Sequence, residues 1–336
     1  MTTHDATTFS HLLSMSDHRG LFEHAEGTTR RLEHGYCTDD NARLLVVTSR
    51  VPDAGAAHHL SRLALHFVRG AQDSDGRVRN RMDHDGRWTD AGTTEDCWGR
   101  ALWGFGVASA EHSNPAIRRW ALRSFDKSAR QRSRHLRAMV FAALGAAAVA
   151  SVEPDHGPAR ALLNDLLQMV GPPQRGAWAW PEPRLTYANA AVAEAVIAAG
   201  SALRRPDDLE RGLTMLQWLL EVETRDGHLS LTGVGGRGPD QLGAQFDQQP
   251  IEAAAMADAC WRAHEVTGDP MWLAGVGAAA GWFRGDNDAG LSLIDARSGG
   301  GYDGLHPHAV NQNEGAESTL ALVSTMQRAR SMAVAA

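Results

Sequence analysis

The chain has 336 residues, 43% hydrophobic and 22% charged, the balance of a globular protein with a sizeable core rather than of a disordered one. A formal net charge of -7 leaves no broad positive field for a phosphate backbone, so nucleic acid is not the expected partner. The longest apolar run, 138–152, is alanine-rich and shorter than the roughly 20 residues a bilayer requires, which excludes a membrane span there.

Helix-period patterning runs from one end to the other and sorts into two alternating kinds. A short segment at 8–15 is read as an outer helix. TDDNARLLVV, from Thr38, begins the first small-residue helix, and an amphipathic one follows at 56–68. TEDCWGRALWGFG from Thr94 is followed by 114–127, SRHLRAMVFAALGAAA from Ser133 by 158–170, and TYANAAVAEAVIAAG from Thr186 by 206–221. QQPIEAAAMADACW from Gln248 is followed by 269–283, and NEGAESTLALVSTM from Asn313 closes the series. Asn114-Pro115 and Asp269-Pro270 each place a capping side chain ahead of a proline that suits the first helical position.

Six small-residue segments, starting at intervals of about 40 to 65 residues, predict six helical hairpins. The expected fold is all-α, a toroid of about twelve helices in one domain spanning 1–336. Alanine and glycine let inner helices approach around a crowded axis, and bulkier apolar residues belong outside. Gly/Asp/Trp-rich stretches at 73–88, 176–184, 224–233 and 286–308 predict short hairpins on one rim, each leading into an inner helix.

Cys37, Cys97 and Cys260 are far apart and form no CxxC pair, so neither a disulfide framework nor a thiolate zinc site is expected. The N-terminal MTTHDATTFS lacks a basic head with an apolar run behind it and does not read as a leader. A cytoplasmic location without membrane partners is the expectation. The arginines between Arg130 and Arg137 read as a solvated helix entrance. The Gly-rich runs at 233–238 and 299–301 lack the Lys-Ser/Thr ending of a phosphate loop, so no nucleotide cofactor is expected.

Carboxylates are the chemistry on offer. Thr38-Asp39-Asp40-Asn41 with Arg43 is echoed by Thr94-Glu95-Asp96 with Trp98 and Arg100. In the plain reading each threonine is an N-cap and the acids complement the helix dipole. The other reading draws on convergence, since all six inner-helix starts are polar, with Arg137 leading the third. Glu182 lies among Trp178, Trp180 and Tyr187, whose flat faces suit the C–H face of a sugar ring. An acid among indoles is a setting in which a general acid holds its proton near neutrality. Pairing of Glu182 with Arg184 is the structural alternative.

Asn189 opens the fourth inner helix. QFDQQPIEAA then offers Gln245, Asp247, Gln248, Gln249 and Glu252, planar groups able to bridge neighbouring sugar hydroxyls or to form a buried polar network. GYDGLHPHAVNQNEGAES gathers Tyr302, Asp303, His306, His308, Asn311, Asn313, Glu314 and Glu317. His306, His308 and Glu314 do not have the spacing of a recognised metal-ligand signature, so direct contact with substrate is expected and no metal.

The alternation of helices with polar inner N-termini resembles the (α/α)6-barrel enzymes called six-hairpin glycosidases. More narrowly, GYCTDDNAR, TEDCWGRALWG, WPEPRLTYANA, FDQQPIEA and HPHAVNQNEGAEST look like a bacterial group found beside or fused to glycosyltransferases and mannoside phosphorylases, over roughly residues 33–325. The resemblance implies the barrel and work on glycosides, with manno-configured sugars one option. The expected activity is glycoside hydrolysis by two carboxyl groups, with inversion, drawn from Glu182, Asp96, Asp40, Asp247, Glu314, Asp39 and Glu95. Glu182 or Asp96 is the first choice for the acid; Asp40, Asp247 or Glu314 for the base. Arg43, Arg100 and Arg137 would orient carboxylates, hydroxyls or an anion, and Trp98, Trp178, Trp180 and Tyr187 would be stacking platforms. Asn189, Gln248, Gln249, Glu252, His306, His308, Asn311 and Asn313 complete the expected substrate ligands. Phosphorolysis, epimerisation through His306 or His308, and a non-catalytic sugar-binding role beside a glycosyltransferase are the alternatives.

Overall fold

A computed structural model of the chain describes residues 9–174, 176–241 and 243–335. The leader reading and the first residue of the 8–15 helix, Thr8, lie outside the described residues. The described part of that segment forms α1 (Ser10–Ser14). The chain divides into two compact units, 1–169 and 170–336.

In unit 1 the small-residue helices are α2 (Thr38–Ser49), α4 (Asp96–Glu111) and α6 (Leu136–Val152). They alternate with amphipathic α3 (Gly55–Ala71), α5 (Pro115–Ser128) and α7 (Gly157–Met169). Helix α4 packs between α2 and α6, and each inner helix packs on the outer helix that follows it. Unit 2 repeats the scheme. Inner α8 (Asn189–Ala202), α10 (Pro250–Thr267) and α12 (Ala316–Ala335) alternate with outer α9 (Pro206–Val222) and α11 (Met271–Arg284), α10 packing on both α8 and α12.

Glycine explains the closeness of the inner helices in unit 1. A Cβ on Gly106 would strike the backbone of Gly145, and one on Gly145 the carbonyl of Leu102. No larger residue fits that crossing without parting α4 and α6. Almost every residue of α6 from Arg137 to Ala150 is buried. Helix α3, by contrast, buries Leu60, Leu63, Ala64, Phe67 and Val68 and exposes Arg62 and His66, as its apolar stripe predicts.

Among the described residues, four two-stranded antiparallel pairs decorate the helices: β1 (Ala25–Glu26) with β2 (Thr29–Arg30), β3 (Tyr36–Cys37) with β4 (Arg81–Met82), β5 (Thr224–Arg225) with β6 (His228–Leu229), and β7 (Gly304–Leu305) with β8 (Val310–Asn311). The β5–β6 turn is Asp226-Gly227, both at positive φ, the conformation for which an Asp-Gly pair is suited.

Two capping expectations are corrected. Thr38 is inside α2, its hydroxyl donating to the Arg79 carbonyl at 2.7 Å, while Cys37 is the N-cap. Glu95, not Thr94, is the N-cap residue of α4 and makes no side-chain cap bond. Asn114 does cap α5, accepting from the Ala116 N–H at 2.9 Å. No described helix is long and apolar enough to cross a membrane.

Candidate functional site

In unit 1 the polar residues gather where the 73–93 segment meets the starts of α2 and α4. Asn80 of that segment accepts the Thr38 N–H at 3.1 Å, capping α2 from 42 residues away, and donates to Asp39 Oδ2 at 3.1 Å. Asp90 anchors the Asn80 and Arg81 N–H groups at 2.7 and 3.0 Å. Asp39 Oδ1 is left buried without a hydrogen bond, 3.5 Å from Arg100 Nε. Arg100 is itself buried and lies over the Phe141 ring, 4.0 Å from its centroid.

Asp40 and Arg43 make a buried pair at 2.5 Å, and the Cys37 thiol donates to the other Asp40 oxygen at 3.0 Å. Burial, with Asp40 next to it, raises the Cys37 thiol well above its ordinary value, and burial pushes Cys97 up to about 12. Both stay protonated. Asp40 thereby has both carboxylate oxygens bonded within its own helix start. Glu95 is exposed, Asp96 half-buried at the first residue of α4, and Arg137 buried in the first turn of α6. Trp98 is a further correction. It is fully buried and donates its indole N–H to the Ser128 carbonyl at 3.1 Å, so it joins α4 to the end of α5 and offers no face to a sugar.

Glu23, Cys37 and Asp40 are the one described group of three such residues whose ligand atoms lie within 4.8 Å of one another. Glu23 is paired with Arg81 and Asp40 with Arg43, and the third group is a neutral thiol. That donor set is already balanced and does not fit a cation.

In unit 2 the tryptophans form a cluster of their own. Trp180 is fully buried and stacks on Trp218 at 5.9 Å, while Trp178 meets Trp218 edge-on at 5.0 Å. Trp180 is therefore core, not platform. Both indoles address Glu182: Trp178 donates to its carbonyl at 2.8 Å and Trp180 to its Oε2 at 3.4 Å, leaving the residue half-buried. Arg184 donates to Gly235 O and to Gln241 Oε1. Tyr187 is 41% exposed.

Glu252, Asn189 and Gln248 are buried and hydrogen-bonded within unit 2. Glu252 reaches from α10 to the start of α8, accepting the N–H of Ala188 at 2.5 Å and of Asn189 at 3.3 Å. Asn189 is buried, its Oδ1 accepting from the Thr186 N–H at 3.0 Å. Gln248 donates to Asp288 Oδ2 at 2.6 Å and to Gln245 O at 2.9 Å, and accepts the Trp282 indole N–H at 2.9 Å. Both N–H groups of its amide are taken, and its oxygen already accepts from an indole. Asp288 is held in turn by His228 at 3.1 Å. Gln249, half-buried, is the N-cap residue of α10.

Paired backbone hydrogen bonds between Gln248 and Leu305, 2.9 and 3.0 Å, lay β7 alongside the start of α10. They bring His306 Nδ1 to 3.7 Å from Asp247 Oδ1. That oxygen is buried and has no hydrogen bond, although the Asp247 side chain as a whole is 28% exposed. Gly304 packs against the same oxygen, leaving no room for a Cβ there. His308 is exposed on the turn, and Asn311 and Asn313 are half-buried, both their carbonyls accepting from the Asp303 N–H.

Glu314 is buried and accepts from Ser298 Oγ at 2.5 Å. The neighbouring Asp295 carboxyl lies below its ordinary range, chiefly through the Arg297 N–H and also through a hydrogen bond with Glu314. Asp303 caps α12, accepting from Gly315 N–H at 2.9 Å and Ser318 Oγ at 2.7 Å. Asn80, Asp288 and Asp295 escape a sequence reading because each acts through a contact 16 or more residues away or through an irregular loop.

No family model matches the sequence, and no curated protein matches it. Solved structures match the fold over almost the whole chain. A cellobiose 2-epimerase from Bacillus thermoamylovorans B4167 superposes with a TM-score of 0.72 at 9% identity, covering 96% of each chain. A D-mannose isomerase gives 0.71 at 11%, covering 98% of this chain and 96% of that one. A GH76 alpha-mannanase from Bacteroides thetaiotaomicron gives 0.65 at 8%, covering 96% and 93%. At such identities the likeness concerns the fold, which is the all-α six-hairpin (α/α)6 class expected from the alternating helices.

Proposed function

We propose that the chain is a carbohydrate-processing enzyme and that its reaction is hydrolysis of a glycosidic bond. The observation carrying this reading is Asp247 Oδ1, a buried carboxylate oxygen with no hydrogen bond. That oxygen is closed off by Gly304, but the Asp247 side chain as a whole is 28% exposed, so the exposed part of the carboxylate can accept from a water or sugar hydroxyl. A carboxylate so placed is suited to take a proton from an attacking water. Glu182, half-buried, with the Trp180 indole N–H donating to its carboxylate and Tyr187 exposed nearby in sequence, is the proposed acid. Asp96, Glu314, Asp39 and Glu95 rank behind these two. The remaining substrate ligands are proposed to be Arg100, Arg137, Trp178, Tyr187, Gln249, His306, His308, Asn311 and Asn313.

A second reading, epimerisation or isomerisation, is favoured by the imidazole of His306 beside Asp247. An imidazole backed by a carboxylate carries a proton to and from carbon in a way that a lone carboxylate does less well. Epimerases and an isomerase among the fold neighbours support it, and an alpha-mannanase supports hydrolysis. Kinship with the bacterial group beside glycosyltransferases and mannoside phosphorylases belongs to the same proposal.

The test is incubation with manno- and gluco-configured oligosaccharides, with and without phosphate, followed by NMR of the first-formed products. Hydrolysis predicts a new reducing end of defined anomeric configuration without need of phosphate. A changed ring configuration with the linkage intact selects the second reading, and a sugar phosphate selects phosphorolysis. Sugar binding without turnover in any mixture selects a non-catalytic role and overturns both. Asp247→Asn is expected to lower kcat by about a hundredfold or more in either enzymatic reading.

A further inference from the structure

The outer helices are not alike in charge, and basic residues are concentrated on two neighbouring ones of unit 1. Helices α3 and α5 together carry Arg62, Arg69, Arg118, Arg119, Arg123 and Lys127 against a single acid, Asp126, in a chain whose net charge is -7. Asp126 is already held 3.0 Å from His156. The outer helix α9 of unit 2 has the opposite bias, with Asp207, Asp208, Glu210 and Glu221 against Arg211.

At the centre of the basic face stands an exposed indole. Trp120 is 44% exposed, with the Arg69 guanidinium 4.2 Å and the Arg123 guanidinium 5.2 Å from its ring centroid. The first contact joins α3 to α5, so Arg62 and Arg69 on α3 and Arg119, Arg123 and Lys127 on α5 lie on one side, while Arg118 turns away to donate to the Ser109 carbonyl. Arg62 lies about two turns from Arg69 along α3, and Arg119, Trp120, Arg123 and Lys127 recur at helical spacing along α5. With 17 and 14 residues, the helices run about 25 and 21 Å side by side.

We infer that this face docks the protein on an anionic phospholipid surface, independently of the proposed reaction. Three features favour a lipid surface over a nucleic acid or a sugar. The cations are spread over two helix faces lying side by side rather than along one track or in a groove. The Trp120 ring is already approached by two guanidinium groups, so it is not offered as a stacking platform for a base or a sugar ring. A part-exposed indole among arginines is the combination favoured at the headgroup level, where Trp anchors and basic residues meet anionic lipid.

The experiment is co-sedimentation of the full chain with phosphatidylcholine vesicles containing about 30% phosphatidylglycerol, beside pure phosphatidylcholine vesicles, at low and high salt. Binding to the anionic vesicles alone, released by salt, is expected. Each basic residue at such a surface is worth about fivefold in partitioning, so Arg119→Gln with Arg123→Gln lowers binding about 25-fold. Trp120→Ala lowers it several-fold without changing the salt dependence. The substituted side chains are on the surface, and circular dichroism checks that the fold is kept. Equal binding to neutral vesicles, no binding to either, or unchanged binding by the double variant overturns the inference. So does salt-sensitive binding to a duplex oligonucleotide with none to vesicles. A carbohydrate assay that fails has no bearing on these outcomes, and vesicle binding has none on the assay.

Discussion

Glu252 offers a decisive test of structure against sequence, because its motif marks it as a substrate ligand and its contacts mark it as a cap. Its carboxylate accepts the N–H groups of Ala188 and Asn189 at 2.5 and 3.3 Å and lies 3.5 Å from Asn189 Nδ2. All three residues are buried. Glu252→Ala strands two buried N–H groups, each costing about 1 to 2 kcal/mol when left unmade. It also removes a negative charge from the start of α8, worth about 0.5 kcal/mol more. The expected loss is about 3 kcal/mol in the free energy of unfolding, read by urea denaturation followed through tryptophan fluorescence. Glu252→Gln keeps one acceptor and is expected to lose about half as much. The residual folded fraction of either variant should bind sugar as the parent does. A variant of undiminished stability that no longer binds sugar would refute the capping role and restore Glu252 to the substrate.

Gln248→Ala removes the partner of both Asp288 Oδ2 and the Trp282 indole N–H, so a loss of about 3 kcal/mol is expected in the same denaturation assay; a loss below about 1 kcal/mol would mean that water replaces the amide. Gly106→Ala sets a Cβ against the Gly145 backbone and should cost about 2 to 3 kcal/mol, whereas Gly157→Ala, at the open first residue of α7, should be neutral or slightly stabilising. His112 is buried, accepts the Asn114 N–H on Nδ1 at 2.9 Å, and is held below its ordinary 6.5 by desolvation. Because the folded value is the lower one, its contribution is fully present above the unfolded pKa and is lost as pH falls through the folded one. Between about pH 7.5 and about pH 5.5 the parent should therefore lose more stability than His112→Asn, and equal losses would exclude His112 as a source of the acid sensitivity.

The sequence alone determined the architecture, because helix type follows from local periodicity and small residues recur wherever helices must approach closely. Gly106 and Gly145, the amphipathic stripe of α3, the Asn114 cap and the Asp226-Gly227 turn are all readable from a few neighbouring residues. It also located the polar segments around Asp39, Asp247 and Glu314 correctly as starts of inner helices. What a carboxylate or an indole does there was decided only in three dimensions. Asp39 and Asp40 are adjacent, yet one keeps an oxygen unbonded beside Arg100 and the other is consumed by Arg43 and Cys37. Trp178 and Trp180 are two residues apart, yet one is half-buried and the other wholly core. Glu252 and Gln248 look like sugar ligands until the partners supplied by Ala188, Asp288 and Trp282, 34 or more residues away, take up their hydrogen bonds. The physical reason is that hydrogen bonds saturate. A polar side chain keeps for function only the bonding capacity that the folded chain has not taken up, and the partners that take it up are chosen by tertiary contact rather than by spacing in the sequence.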